Sequence, residues 1–366
     1  MVDNKSKKKL LVVDDSAFMR KLISDFFVDS KSIEVVGIAR NGKDAIEKIK
    51  TLQPDVLTMD VEMPVMNGLE ALRKIMLETP VPVVMLSSTT KSGAESTMQA
   101  MDYGAVDFIA KPSGTISLDL HKIKVELVEK VEHAAQVSIN KMQKRSSLPT
   151  SNGISKSVEL RNKPENTNTV KWDKAKKKMV LIGTSTGGPR ALQEVITKLP
   201  KNMKAPVLVV QHMPAGFTKS LAQRLNQLSE IEVKEAEDGD LLQDGHAYIA
   251  PGGFHMRIQK RVSAYYIVLD DKEPPRAGHR PAVDVLFEDN SHFNDFDKIA
   301  VIMTGMGSDG SLGLKQLKNS GNVVAITESA STCIVYGMPK AAVETNLVNE
   351  VVDLDQIAKT IIQYLP

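Results

Sequence analysis

Ser185 lies in the stretch Gly183-Thr184-Ser185-Thr186-Gly187-Gly188-Pro189, directly after the apolar run Met179 to Ile182 and ahead of a helical pattern from Arg190 to Leu199. A serine on a tight, glycine-flanked turn between strand and helix exposes its hydroxyl at a helix N-terminus, where main-chain N–H groups favour developing negative charge. The same turn also suits anion binding or plain chain reversal, so a nucleophilic role requires a base and an orienting acid. His212, in Gln211-His212-Met213-Pro214, follows the run Val207 to Val210. Asp309, in Thr304-Gly305-Met306-Gly307-Ser308-Asp309-Gly310, follows Ile299 to Met303. Hydroxyl, imidazole and carboxylate at the C-terminal ends of strands in one sheet make a candidate acyl-transfer triad in the chain order Ser, His, Asp. That order differs from the Ser, Asp, His order of α/β-hydrolases. His255, in Pro251-Gly252-Gly253-Phe254-His255-Met256, is the strongest rival base; His246 and His279 stay open, and His121, His133 and His292 read as surface residues.

A second set of chemical residues lies near the N-terminus. Asp14 and Asp15 end the first apolar run, Asp60 the third, Ser87 the fourth and Lys111 the fifth. Three converging carboxylates repel one another unless a divalent cation neutralises them, and a hard, oxygen-ligated Mg²⁺ suits them. Lys111 supplies a movable positive charge and Ser87 a hydroxyl donor, both suited to a phosphoryl group on one of the carboxylates. Taken singly, Asp15 or Ser16 reads equally well as a helix N-cap and Lys111-Pro112 as a turn. Four strand ends that together offer five useful residues argue for a joint role.

These residues need a scaffold that brings strand ends together. Leu10–Val13, Glu34–Ile38, Val56–Asp60, Val81–Ser87 and Val106–Pro112 alternate with helical patterns, the last near Leu120 to Val137. This rhythm predicts a flavodoxin-like, doubly wound parallel sheet over residues 1–135, with its site beyond the C-terminal strand ends. A second, Rossmann-like α/β domain is predicted over 179–366, with strands at Met179–Gly183, Val207–Val210, Ala247–Ala250, Tyr265–Leu269, Ile299–Thr304 and Asn322–Thr327. Between them, residues 136–178 read as a flexible basic linker. From Ser138 to Lys178 only nine residues are apolar, and eleven Lys or Arg face three acidic residues. That composition cannot build a core. It reads as a solvated tether, with attraction to an anionic membrane surface as the alternative.

The 366 residues are 42% hydrophobic and 25% charged, which excludes wholesale disorder. The net charge of +2 is the sum of a +8 linker and a −6 remainder, which excludes a generally basic, nucleic-acid-binding protein. One cysteine, Cys333, rules out an intrachain disulfide and a cysteine-clustered metal site. The run Leu10 to Val13 is too short for a signal peptide or a membrane span, so a cytoplasmic protein without membrane insertion is expected.

Residues 8–132 resemble the receiver domains of two-component signalling, through Asp14-Asp15, Asp60-Val61-Glu62-Met63-Pro64 with Gly68, Ser87, Phe108 and Lys111-Pro112. The resemblance implies that Asp60 is the phospho-acceptor. It also implies that Asp14, Asp15, Asp60 and the backbone carbonyl of Glu62 hold Mg²⁺. Phe108 stands where the family carries an aromatic rotamer switch, commonly Tyr. Residues 179–366 resemble the chemotaxis protein-glutamate methylesterases through Gly183–Pro189, Gln211–Phe217, Ile249–Gly252, His279–Phe287 and Met303–Gly310. This second resemblance places the triad at Ser185, His212 and Asp309, with Thr186 and the backbone around Met306 as oxyanion contributors. It implies a phosphorylation-activated esterase acting on glutamate γ-methyl esters of methyl-accepting chemotaxis receptors, with glutamine deamidation as an extension. A chemotaxis histidine kinase is the implied phosphodonor. The resemblance further implies a monomer, no cofactor for ester hydrolysis, and an unphosphorylated receiver packed over the catalytic face. A serine hydrolase with a different substrate and a non-enzymatic phospho-dependent adaptor are the competing readings.

Overall fold

A computed structural model describes residues 6–111, 119–137, 172 and 176–366. The first domain runs β1 (Lys8–Val13), α1 (Ala17–Phe26), β2 (Ile33–Ala39), α2 (Gly42–Leu52), β3 (Val56–Asp60), α3 (Gly68–Glu78), β4 (Val83–Ser87), α4 (Lys91–Asp102), β5 (Asp107–Ala110) and α5 (Asp119–Ala134). Its parallel sheet has the order β2-β1-β3-β4-β5, so the chain starts in the middle and winds to both sides. The central strands β3 and β4 are largely apolar because helices cover both faces, and every residue of both is buried. Polar side chains start the helices. Ser16, Asn41, Asn67 and Thr90 each accept an otherwise unpaired N–H in the first turn of α1 to α4.

The second domain continues with β6 (Lys178–Thr184), α6 (Gly188–Ile196), β7 (Val207–Gln211), α7 (Phe217–Leu228), β8 (Glu232–Glu235), β9 (His246–Ile249), β10 (His255–Arg261) and β11 (Ala264–Asp270). It ends with α8 (Val283–Asn290), β12 (Asp297–Ile302), α9 (Ser311–Asn319), β13 (Val323–Glu328), α10 (Met338–Glu344), β14 (Glu350–Val352) and α11 (Leu354–Gln363). Seven parallel strands lie in the order β14-β13-β12-β6-β7-β9-β8. The winding reverses beside β6, which leaves a crevice at the C-terminal ends of β12, β6 and β7, where open α/β sheets place their ligands.

The two-domain α/β architecture agrees with the sequence reading, with three differences. The strand expected at Tyr265–Leu269 lies outside the main sheet, paired antiparallel with β10 in a separate hairpin. The strands β8, β10 and β14 and the helices α8, α10 and α11 are not among the expected elements. The far end of the segment read as linker belongs to the catalytic domain's packing. Trp172 donates from Nε1 to the Tyr364 carbonyl at 2.9 Å and meets the Tyr364 ring edge-on. Lys178, the first residue of β6, is buried with its ammonium 4.6 Å from the Trp172 ring centroid and 3.1 Å from Asp297. The rest of the expected flexible linker lies outside the described residues. No helix among the described residues is long and apolar enough to cross a membrane.

The two domains touch through the α4–β5 edge of the first. Asp102 pairs with Arg224 on α7 at 2.8 Å. Phe108 on β5 stacks on Phe217 at the start of α7, with ring centroids 4.7 Å apart. Asp107 accepts a 2.6 Å hydrogen bond from the Thr186 hydroxyl.

Candidate active site and candidate phosphorylation site

The Ser185 loop is held from three sides. The Ser185 N–H donates to the Thr304 carbonyl at 3.0 Å, and the Gly188 N–H donates to the Ser185 carbonyl at 2.7 Å, closing the turn into α6. Gln211, the last residue of β7, accepts from the Thr184 hydroxyl at 2.6 Å and donates through Nε2 to the carbonyls of Ser185 and His212, each at 3.0 Å. The buried Gln211 amide therefore fixes the nucleophile's loop against the histidine's. The contact requires glycine at 188, where a Cβ would lie 1.9 Å from Gln211 Oε1.

His212 is anchored by its N–H on the Thr184 carbonyl at 3.1 Å. Its Nε2 lies 2.8 Å from Asp309 Oδ2. The same oxygen accepts from the Val283 N–H at 2.7 Å, and Oδ1 accepts from the Asp284 N–H at 2.8 Å. Burial pushes the Asp309 carboxyl up, but the adjoining His212 and the two N–H groups outweigh it and hold the group below the usual carboxylate range. An ionised acceptor there leaves the ring proton on Nε2. The other nitrogen, Nδ1, is buried and has no hydrogen-bond partner. A buried imidazole nitrogen without a hydrogen-bond partner beside a serine loop is placed to accept a proton. Asp284, next to Asp309, caps the N-terminus of α9 by accepting from Gly310 and Gly313. Burial and, after the Gly313 N–H that opposes it, the Asp309 charge push Asp284 up to about 6.

The other histidines separate clearly. His255 is fully buried at the start of β10, with Nε2 3.2 Å from the Pro274 carbonyl, and its burial disfavours the charged form. It is a packing residue of the hairpin and no rival base. His246 pairs with Glu232 on the neighbouring strand. His279 lies face to face with His212, centroids 3.8 Å apart and planes within 8°.

Thr186, an expected oxyanion contributor, follows Ser185 in the turn into α6. Its hydroxyl is committed to Asp107 of the first domain, and its carbonyl accepts from the Thr304 hydroxyl at 2.9 Å. With the domains docked, an oxyanion contribution from Thr186 falls to its main-chain N–H. Gly305 precedes Met306 and lies close enough to the nucleophile that a Cβ there would sit 2.8 Å from Ser185 Cβ.

In the first domain Asp14, Asp15 and Asp60 each offer an oxygen, all within 4.8 Å of one another. Lys111 bridges two of them, 3.0 Å from Asp14 and 2.7 Å from Asp60. Burial pushes Asp60 up to about 6 against the pull of Lys111, with the Asp14 charge adding to burial. Burial acts against the Lys111 ammonium, yet Asp60 and Asp14 outweigh it and raise the group above its ordinary value. Such crowding fits a hard cation with oxygen ligands. The Glu62 N–H donates to Asp60 at 3.4 Å. Ser87 is buried and donates to the Gly93 carbonyl at 2.9 Å, so its hydroxyl must turn to reach a group on Asp60. Phe108 is buried and faces the second domain.

Residues 10–122 match the response regulator receiver domain family, and residues 180–361 match the CheB methylesterase family. A protein-glutamate methylesterase/protein-glutamine glutaminase of Geobacillus kaustophilus is 55% identical over 358 residues, covering 98% of each chain. The protein of the same name in Bacillus subtilis is 52% identical over 359 residues, covering 96% of this chain and 97% of its own. The crystal structure of the Thermotoga maritima CheB methylesterase catalytic domain is 44% identical, covers 51% of this chain and 98% of its own, and superposes with a TM-score of 0.49. With both domains matched in this order and more than half of all positions shared along the whole length, the chain belongs to the family of protein-glutamate methylesterases/protein-glutamine glutaminases, in which a response regulator receiver precedes a CheB methylesterase domain.

Proposed function

We propose that this chain hydrolyses glutamate γ-methyl esters on methyl-accepting chemotaxis receptors by a serine mechanism under receiver control, and deamidates receptor glutamine at the same site. The observation that most supports the mechanism is the buried, unbonded Nδ1 of His212 on a ring whose Nε2 is held by an ionised Asp309. Ser185 Oγ attacks the ester carbonyl and Nδ1 takes its proton. Asp309 stabilises the resulting imidazolium without itself being protonated. Nδ1 then returns the proton to the leaving methoxide, methanol departs, and water repeats the sequence on the acyl-enzyme to release the glutamate carboxyl and regenerate Ser185. For an amide the same steps release ammonia. Main-chain N–H groups at Thr186 and Met306 take the oxyanion, a contribution of about 10²–10³ in rate for one donor. Hydrolysis uses no cofactor.

Asp60 is the phospho-acceptor, and a chemotaxis histidine kinase is the donor. Asp14, Asp15, Asp60 and the Glu62 carbonyl would hold Mg²⁺, which neutralises the crowded carboxylates when bound. Lys111, Ser87 and Phe108 carry the change outward. Because Asp107 and Phe108 touch the catalytic domain directly, a shift of β5 is felt at Thr186 and Phe217. The receiver thus covers the catalytic face until Asp60 is modified. The enzyme works as a cytoplasmic monomer, and the basic segment between 138 and 171 tethers the receiver when it lifts.

Methanol release from methylated receptor membranes tests this reading. Expected are a phosphodonor-stimulated rate in the full chain, a rate in Asp60→Asn that the donor does not raise, and a faster rate in a fragment from Trp172 to Pro366, which keeps the Lys178–Asp297 pair, than in the unphosphorylated full chain. No methanol from a chain whose Ser185 still reacts with a phosphonylating reagent points instead to a serine hydrolase with another substrate. Equal rates for fragment and full chain would sink receiver control.

The peripheral contact gives a graded version. The Asp102–Arg224 pair is partly solvent-exposed, and such pairs are worth about 0.2–1 kcal/mol. Arg224→Ala is therefore expected to raise the unphosphorylated rate by up to about fivefold and to leave the phosphorylated rate unchanged. Initial rates with and without the donor check both.

A further inference from the structure

We propose that His279 is a positioning residue for the catalytic base, a flat uncharged plate that holds the His212 imidazole in the plane joining Ser185 to Asp309. The proposal rests on the serine mechanism above. The His212 ring has one hydrogen bond, through Nε2 to Asp309, and nothing on Nδ1. One bond leaves the ring free to pivot about it, and a pivot carries Nδ1 away from the serine. The parallel stack at 3.8 Å removes that freedom by covering one face of the ring.

The loop presenting His279 is built to hold a ring in place. Ala277 and Gly278 both adopt positive φ, which turns the chain tightly, and Arg276 and His279 exchange main-chain hydrogen bonds at 3.0 and 2.8 Å. Arg276 pairs with Glu273 at 2.7 Å and with Glu288 on α8. Arg280 donates to the carbonyls of Asp271 and Glu273, at 2.5 and 3.1 Å, and its own carbonyl accepts from the Gly253 N–H. The loop is thus pinned on both sides of an otherwise exposed histidine.

A plate against a base must not compete for its charge. The charged groups around His279 are His212 and Asp309 beneath it, Arg276 and Arg280 on its own loop, and Glu126 and Lys130 from α5 of the receiver. Loss of water from the stacked face, followed by repulsion from a charged His212, pulls His279 down to about 4; Asp309 and Glu126 oppose this and Lys130 adds to it. The positive charge formed during turnover therefore stays on His212, where Asp309 can stabilise it.

The test is the rate at which a fluorophosphonate labels Ser185 in the full chain with phosphodonor and Mg²⁺, measured from pH 5 to 9. This readout does not depend on the receptor substrate. His279→Ala is expected to slow labelling by about ten- to a hundredfold, the cost of an ångström-scale misplacement. His279→Phe keeps the plate and is expected to stay within about threefold of the parent. Should the alanine chain not fold, Phe is compared with His279→Leu, which has bulk without a flat face and should be slow. Alanine matching the parent in rate overturns the proposal, as does phenylalanine as slow as alanine or leucine. A folded parent chain that does not label at all overturns the serine mechanism and this proposal with it.

Discussion

Ser185→Ala will lower methyl-ester hydrolysis by about 10⁶-fold, and adding His212→Ala to that chain will lower it no further. The reason lies in the division of labour around β6 and β7. In the proposed mechanism His212 acts only by taking and returning the serine's proton, so with no hydroxyl to deprotonate its Nδ1 has no partner in the reaction. What survives is the catalysis supplied by binding and by main-chain donors at the oxyanion position. The substitution leaves the scaffold intact, because the contacts that hold residue 185 are its N–H to Thr304 and its carbonyl to Gly188 and Gln211. Methanol release under a saturating phosphodonor measures the loss, and a thermal midpoint equal to the parent's verifies the fold. A loss of less than about tenfold, or a further drop in the double variant, would contradict the serine mechanism.

Asp309→Asn is expected to cost about 10⁴-fold in kcat with little change in KM. Oδ2 accepts from both His212 Nε2 and the Val283 N–H, and Oδ1 accepts from the Asp284 N–H. An amide cannot reproduce three acceptor contacts. If its NH₂ replaces Oδ2, it faces the Val283 N–H and drives the ring to the tautomer with its proton on Nδ1, which cannot accept from serine. If its NH₂ replaces Oδ1, it opposes the Asp284 N–H, and the remaining amide oxygen carries no charge to stabilise the imidazolium. Both orientations damage the transition state far more than substrate binding, which separates this variant from one that blocks access. A kcat within about tenfold of the parent would show that His212 is oriented by something else.

Much of this site is legible in the sequence because of how parallel sheets are covered. Strands buried on both faces are written as unbroken apolar runs, and the residue that ends each run stands at the ligand edge of the sheet. Asp14, Asp60, Ser87, Ser185 and His212 can be located that way, and Asp309 from the glycine-rich loop after Ile302. The elements that escape lack that signature. β8 and β14 are short edge strands with charged residues, and β10 has only two apolar residues, Met256 and Ile258, and ends in three exposed polar ones. His279 escapes because it reaches the site from a pinned loop and not from a strand end. Asp107 reads as an ordinary strand residue, since its partner Thr186 lies 79 positions away on another domain. Gln211 is visible in the sequence beside His212, but its three contacts are a property of the folded turn.

The docked edge of the receiver has a thermodynamic consequence. Asp107 and Phe108 engage the catalytic domain from the same strand, β5, whose end leads to Lys111 at the acidic cluster. In the proposed mechanism closure over the crevice and chemistry at Asp60 are therefore linked equilibria, and linkage is reciprocal. Whatever factor by which a phosphoryl group favours the undocked form, a ligand that occupies the catalytic face and displaces the receiver favours the phosphorylated form by the same factor. A bulky protein substrate, competing with the receiver for one surface, is then also an effector of the distant aspartate, whereas a small ester that slips beneath the docked edge is a substrate alone.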